Sequence, residues 1–208
     1  MKKLHFSLAD WEFQADHHFY ISEVEKVSDP SSLAHKGEPS ETALAYCYLG
    51  DTLGHNIPNG SFITYWRNIW TTTFHEFYFR QQTPLAYRGD QNGYYLVFDG
   101  RENSCQVRRY IDGVGTVIGN IPNAAFSYDT WMRFKVDFYE YITADLTKTF
   151  RIELFFWTAG AWQSQGYVED GDNAFATSAV NRIGFSDSGT SPINANYHDD
   201  TEIWLVTE

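Results

Sequence analysis

Near its end the chain reads Tyr197-His198-Asp199-Asp200-Thr201-Glu202-Ile203-Trp204-Leu205-Val206, two adjacent carboxylates at the mouth of an alternating strand. Neighbouring acids repel unless water, a cation or backbone donors hold them. Calcium takes several oxygen ligands, usually carboxylates mixed with backbone carbonyls, so Asp199 and Asp200 are a candidate calcium pair. The competing arrangement has Asp199 capping a turn and Asp200 facing an arginine or a backbone amide. Asp170-Gly171-Asp172-Asn173 is a second acidic loop, without the ligand series or terminal glutamate of an EF-hand.

Three alternating runs carry a different chemistry. In Trp131–Glu140, Met132, Phe134, Val136 and Phe138 share one side, leaving Arg133, Lys135 and Asp137 on the other. Phe150–Trp157 repeats the pattern, with Arg151 and Glu153 opposite Ile152, Leu154 and Phe156. Phe74–Arg80 sets Glu76, Tyr78 and Arg80 on one face. Glu76, Tyr78, Arg80, Arg133, Lys135, Asp137 and Arg151 are therefore expected side by side on an outward polar surface. Planar polar side chains match paired hydroxyls and aromatic faces match C–H patches, so such a surface suits a sugar. Alternation also yields ordinary solvated faces whose ion pairs are worth little, and that alternative stands beside the first. Among the aromatics outside these runs (Trp66, Trp70, Tyr87, Tyr94, Tyr95), any can stack on a ring. Trp162 is the preferred exposed one, because Ala159-Gly160-Ala161 reads as a hairpin tip. No Ser-His-Asp set or phosphate-cradling loop stands out, and His17-His18 and His55 have no assigned role.

The elements that must position these residues are strands. Asn92-Gly93, Asp99-Gly100, Asp112-Gly113, Ile121-Pro122-Asn123 and Ile57-Pro58-Asn59-Gly60 punctuate about a dozen short runs, the rhythm of an all-β sandwich or barrel. Aromatics make up 18% of the 208 residues, which favours pleated surfaces over helices. Residues 1–208 are expected to form a single domain. The net charge of -12, with no basic run, argues against nucleic acid. No apolar run approaches the roughly 20 residues that span a bilayer, so membrane insertion is not expected. Met1–Asp10 opens like a secretory leader, but Asp10 and Glu12 cut its apolar stretch short. Cys47 and Cys105 are either one disulfide or two buried thiols.

The order of features then resembles a known superfamily. Trp11-Glu12-Phe13 leads to Gly37-Glu38-Pro39-Ser40-Glu41-Thr42-Ala43-Leu44-Ala45-Tyr46, then to the Trp131-initiated strand. Phe155-Phe156-Trp157 with Gly160-Ala161-Trp162 follows, then Arg182-Ile183-Gly184-Phe185 and the closing His198-Asp199-Asp200-Thr201-Glu202-Ile203. Over nearly the whole chain this is similar to the concanavalin A-like lectin/glucanase superfamily, which includes laminin-G-like modules. The resemblance implies a two-sheet antiparallel jelly-roll sandwich with a ligand groove on one sheet. It also implies a structural calcium tying the first strand to the last, with Glu12 as the matching N-terminal acid. Glycosidases of this superfamily carry a Glu-x-Asp-x-x-Glu strand, and its polysaccharide lyases a Gln-x-His strand. Neither occurs here, the nearest approach to the lyase set being His75, Tyr78 and Arg80 with Tyr110. The expectation is a non-catalytic recognition module for glycans or a protein assembly. A virion or extracellular surface is its implied setting, and homo-oligomerisation is compatible with it. A lyase or glycosidase on the same fold and a purely structural capsid-decoration protein are the alternatives.

Overall fold

A computed structural model describes residues 2–5, 11–13, 19–22, 27, 32–36, 45–49, 56–68, 74–83, 90–99, 102, 104–122, 124, 126–176, 178, 180–188 and 194–205, with the backbone alone described at 74, 185–188, 194–196 and 205. Up to residue 49 it is the backbone that is described, Val27 aside. Fifteen strands follow one another: β1 (Lys2–His5), β2 (Trp11–Phe13), β3 (Phe19–Ser22), β4 (Ser32–Lys36), β5 (Ala45–Leu49), β6 (Gly60–Asn68), β7 (Phe74–Gln81), β8 (Gly93–Asp99), β9 (Ser104–Ile111), β10 (Val114–Ile121), β11 (Met132–Ile142), β12 (Lys148–Thr158), β13 (Ala161–Asp170), β14 (Arg182–Ser188) and β15 (Asn194–Leu205).

They pair antiparallel into two sheets. The eight-stranded sheet runs β13-β12-β11-β6-β15-β4-β3, with β1 also on β15; the seven-stranded sheet runs β10-β9-β8-β7-β14-β5-β2. The architecture is thus the expected all-β sandwich. Its first and last strands lie together, Lys2 opposite Leu205 and His5 opposite Glu202.

Alternation decides what lies between the layers. Phe62 and Trp66 of β6, and Phe134, Val136 and Phe138 of β11, face Phe77 and Phe79 of β7 and Phe98 of β8, all at most 1% exposed. The rings meet mostly tilted or edge-on, as aromatic quadrupoles prefer: Phe77 lies 4.7 Å from Phe134 at 72°. His75 and His198 enter this core from opposite sheets and stack at 4.6 Å. Where β10 of one sheet meets β13 of the other, the backbone sits directly on Val168. A Cβ at Gly119 would fall 2.8 Å from the Val168 Cγ1, so only glycine lets that edge close.

One end of the core is polar. Arg80 has φ 52°, and this kink turns its side chain inward instead of leaving it beside Tyr78. There its guanidinium stacks on Phe150 at 4.0 Å. It donates to the Pro58 carbonyl (2.9 Å), Asn173 Oδ1 (2.8 Å) and Asn59 Oδ1 (3.0 Å) and lies 3.6 Å from Glu140. Burial lowers its pKa against the pull of Glu140. Nearby, Asp170 is gripped by Arg109 (2.9 Å) and by the Tyr94 hydroxyl (2.6 Å), while Arg109 also holds Asp172 (2.9 Å). The 170–173 loop, a rival calcium site from sequence, therefore has arginines where a cation would sit. Desolvation, then the bond to Asp170, raises the Tyr94 pKa.

Cys105 is a buried free thiol. Cys47 lies on β5, four ladders away in the same sheet, a separation of about 19 Å at the usual strand spacing. That is well beyond disulfide reach.

Desolvation alone would raise the Glu140 pKa, but hydrogen bonds from Asn173 (2.7 Å) and Lys148 (2.9 Å), with the Arg80 charge, bring it below the ordinary value. A carboxyl depressed in the folded state stabilises above its unfolded pKa of about 4.3, and that contribution disappears as pH falls through the folded value. Urea midpoints measured from pH 6 down to pH 3 should fall more steeply for the wild type than for Glu140→Gln. Parallel curves would deny Glu140 this role.

Candidate functional site

A tight turn builds the site. Ala159 (φ 52°) and Gly160 (φ 82°) both adopt the left-handed region, the two-residue hairpin geometry whose twist suits flanking strands. Trp157 is thereby set opposite Trp162, and the indoles meet edge to face at 5.1 Å. On β11, the alternation that buries Phe134 sends Arg133 outward, opposite Tyr65 of β6. The Arg133 guanidinium lies 5.4 Å from the Tyr65 ring, 5.6 Å from Trp157 and 5.4 Å from Trp162. It has no hydrogen-bond or ion-pair partner among the described residues. Trp157 is 40% exposed. The result is a row across β6, β11, β12 and β13 on the outer face of the eight-stranded sheet.

Two positions along, polar groups join the row. Lys135 sits 3.9 Å over Phe155 and pairs with Asp137 at 2.6 Å, while Ser61 donates to the other Asp137 oxygen. Ser164 donates to Glu153 at 2.8 Å. Beyond them Arg151 lies 3.9 Å over the exposed Tyr167 ring and pairs with Glu169. Burial pulls the Arg151 pKa down, but Glu169 and Tyr139 outweigh it, and the value ends above the ordinary guanidinium one. The Tyr141 hydroxyl donates to Glu169 and, with Arg151, lowers that carboxyl.

Of the residues expected to lie side by side, Arg133, Lys135, Asp137, Arg151 and Trp162 do share this face. Glu76, Tyr78 and Arg80 do not, because β7 belongs to the other sheet, across the core. They are also buried: Glu76 accepts from Gln91 (3.3 Å), and Tyr78 packs on Tyr95, whose hydroxyl donates to Gln81 (2.8 Å). Alternation assigns faces within a strand but says nothing of which sheet the strand joins. Trp66, treated as a loop aromatic, lies in the core; Trp70 and Tyr87 lie outside the described residues. Tyr65, Phe155 and Trp157 join this face as well: alternation along β12 puts Phe155 and Trp157 on the side of Arg151, whereas Tyr65 comes beside Arg133 only through the β6–β11 ladder.

The proposed calcium ligands are placed differently from expectation. The Asp199 carboxylate accepts backbone N–H groups from Val27 (2.6 Å) and Asp200 (2.7 Å), bridging an irregularity between Asp199 and Glu202 where Asp200 has φ 47°. Asp200 is exposed. Glu12 is on β2 of the opposite sheet, and its side chain lies outside the described residues. No cluster of three or more His, Cys, Asp or Glu suited to a metal occurs among the described residues.

No family model matches the chain, and no curated protein matches it. Solved structures do. A protein of unknown function from Shewanella oneidensis MR-1 superposes with TM-score 0.60 at 12% identity, over 98% of this chain and 84% of its own. The lectin UEA-II, complexed with galactose, gives 0.56 at 10% identity over 98% of both chains. The fold is the concanavalin A-like jelly roll. The carbohydrate-binding module CBM66 from Bacillus subtilis shares it, with TM-score 0.52 at 10% identity over 93% of this chain and 94% of its own.

Because backbone amides already occupy the Asp199 oxygens, Asp199→Ala should cost about 1–3 kcal/mol of stability in urea titrations. Excess EDTA should leave the wild-type melting temperature where it was. A fall with EDTA, reversed by calcium, would restore the ion-binding assignment.

Proposed function

We propose that residues 1–208 act as one non-catalytic module that binds carbohydrate on the outer face of the eight-stranded sheet. The row Tyr65–Arg133–Trp157–Trp162 carries this reading. The exposed Trp157 and the half-buried Tyr65 and Trp162 offer ring faces to the C–H side of a sugar, and Arg133, Lys135 and Asp137 supply donors and acceptors for hydroxyls beside them. The core holds the backbone beneath, so little conformational freedom is lost on binding. Similarity of fold to a galactose-complexed lectin and to a carbohydrate-binding module supports the class of ligand without choosing the sugar.

The setting we propose is a larger assembly, such as a virion surface or tail, on which the module meets glycans. A second reading comes from the exposure of Trp157 and Tyr167: the same rings pack against another copy or an assembly partner.

A glycan array separates the two. Wild type should be retained on a subset of glycans, and Trp157→Ala and Trp162→Ala should each weaken retention about tenfold or more with melting temperatures unchanged. Retention unaffected by either substitution would exclude this face as the glycan site. Absence of all retention, with a dimer by light scattering that both substitutions dissolve, would favour the interface reading.

A further inference from the structure

Resting on the carbohydrate-binding reading, we infer that the sugar is anionic: Arg133 receives the carboxylate of an acidic pyranose whose ring lies against the indoles. Among the described residues, each neighbouring cation on this face has an acid of its own. Lys135 has Asp137 at 2.6 Å, Arg151 has Glu169, and Arg67, two residues along β6 from Tyr65, has Asp129 at 2.6 Å. Among the described residues Arg133 has only rings: Tyr65, Trp157 and Trp162 stand 5.4 to 5.6 Å from its carbon centre. None of them accepts its N–H groups in their own plane, and it has no other partner among the described residues. In a chain of net charge -12, an arginine held without an acid is a specific positive point in a negative field.

The geometry selects the anion. A guanidinium is a planar fork of donors that matches a planar carboxylate with two parallel hydrogen bonds. Aromatic walls fix its plane and exclude water from its faces, strengthening any bond made at its rim. The acids beside Arg133 on this face are already engaged and do not compete for it: Asp137 by Lys135 and Ser61, and Asp199, opposite Tyr65 in the ladder, by the Val27 and Asp200 amides. One unmatched positive charge suits one carboxylate per sugar. The overall acidity opposes densely sulfated or phosphorylated chains, which would need several.

The experiment compares matched pairs differing only at the carboxyl. Polygalacturonate and its methyl ester test a hexuronate, and sialyllactose and its carboxyl methyl ester test a nonulosonate, each by calorimetry at physiological salt. Wild type should bind the acid of at least one pair about tenfold more tightly than its neutral counterpart. Arg133→Gln should remove that preference while residual binding to the neutral form persists, and Arg133→Lys should restore it in part. Trp162→Ala should weaken acid and neutral forms alike. If glycans bind but acid and neutral forms bind equally, or if the preference survives Arg133→Gln, the carboxylate inference fails and the carbohydrate reading stands. If wild type binds none of the four and is retained by no glycan on the array, both fail.

Discussion

Burial of Phe134, Val136 and Phe138 against Phe62, Phe77 and Phe79 is the constraint on which the rest depends. Side chains alternate strictly along a strand, so fixing these three inward fixes Arg133, Lys135 and Asp137 outward. A slip of one residue would bury two cations and a carboxylate and expose three large apolar groups, a change no surface interaction could offset. The ladders pass this register on. β11 sets β12 with Lys135 opposite Phe155, and β12 sets β13 with Trp157 opposite Trp162. The open face is thus a consequence of the core.

Two arginines show how environment divides one residue type between tasks. Arg80 is turned inward by a left-handed backbone, stacks on Phe150 and spends its donors on Pro58, Asn59 and Asn173. It joins β7 to the 56–60 and 171–176 segments and is structural. Arg133 also lies among rings, but its donors meet no described acceptor, and its side chain is at the surface. A guanidinium satisfied by the protein locks the fold, whereas one left to solvent has bonds to offer a ligand.

Much of this was readable from the chain. The fold class followed from turn spacing and aromatic alternation, and the grouping of Arg133, Lys135, Asp137 and Arg151 followed from period-two patterning along β11 and β12. Trp162 followed from the Ala159-Gly160 turn. The placement of Glu76 and Tyr78 was not legible, because sheet membership depends on pairing between strands far apart in sequence. The inward turn of Arg80 was equally hidden, since a non-glycine residue at φ 52° breaks alternation without a local signature. The Asp199-Asp200 pair does resemble a cation site in composition. The bonds its Asp199 carboxylate accepts from the Val27 and Asp200 amides, across a strand irregularity, are visible only in the distances.

Hydrogen exchange read peptide by peptide, with and without a polysaccharide that retains the protein, tests the central claim most directly. Slowed exchange is expected to be confined to peptides covering residues 60–68, 131–142 and 150–169. Protection centred on residues 74–83 and 90–110 of the seven-stranded sheet, with β11 to β13 unchanged, would contradict it.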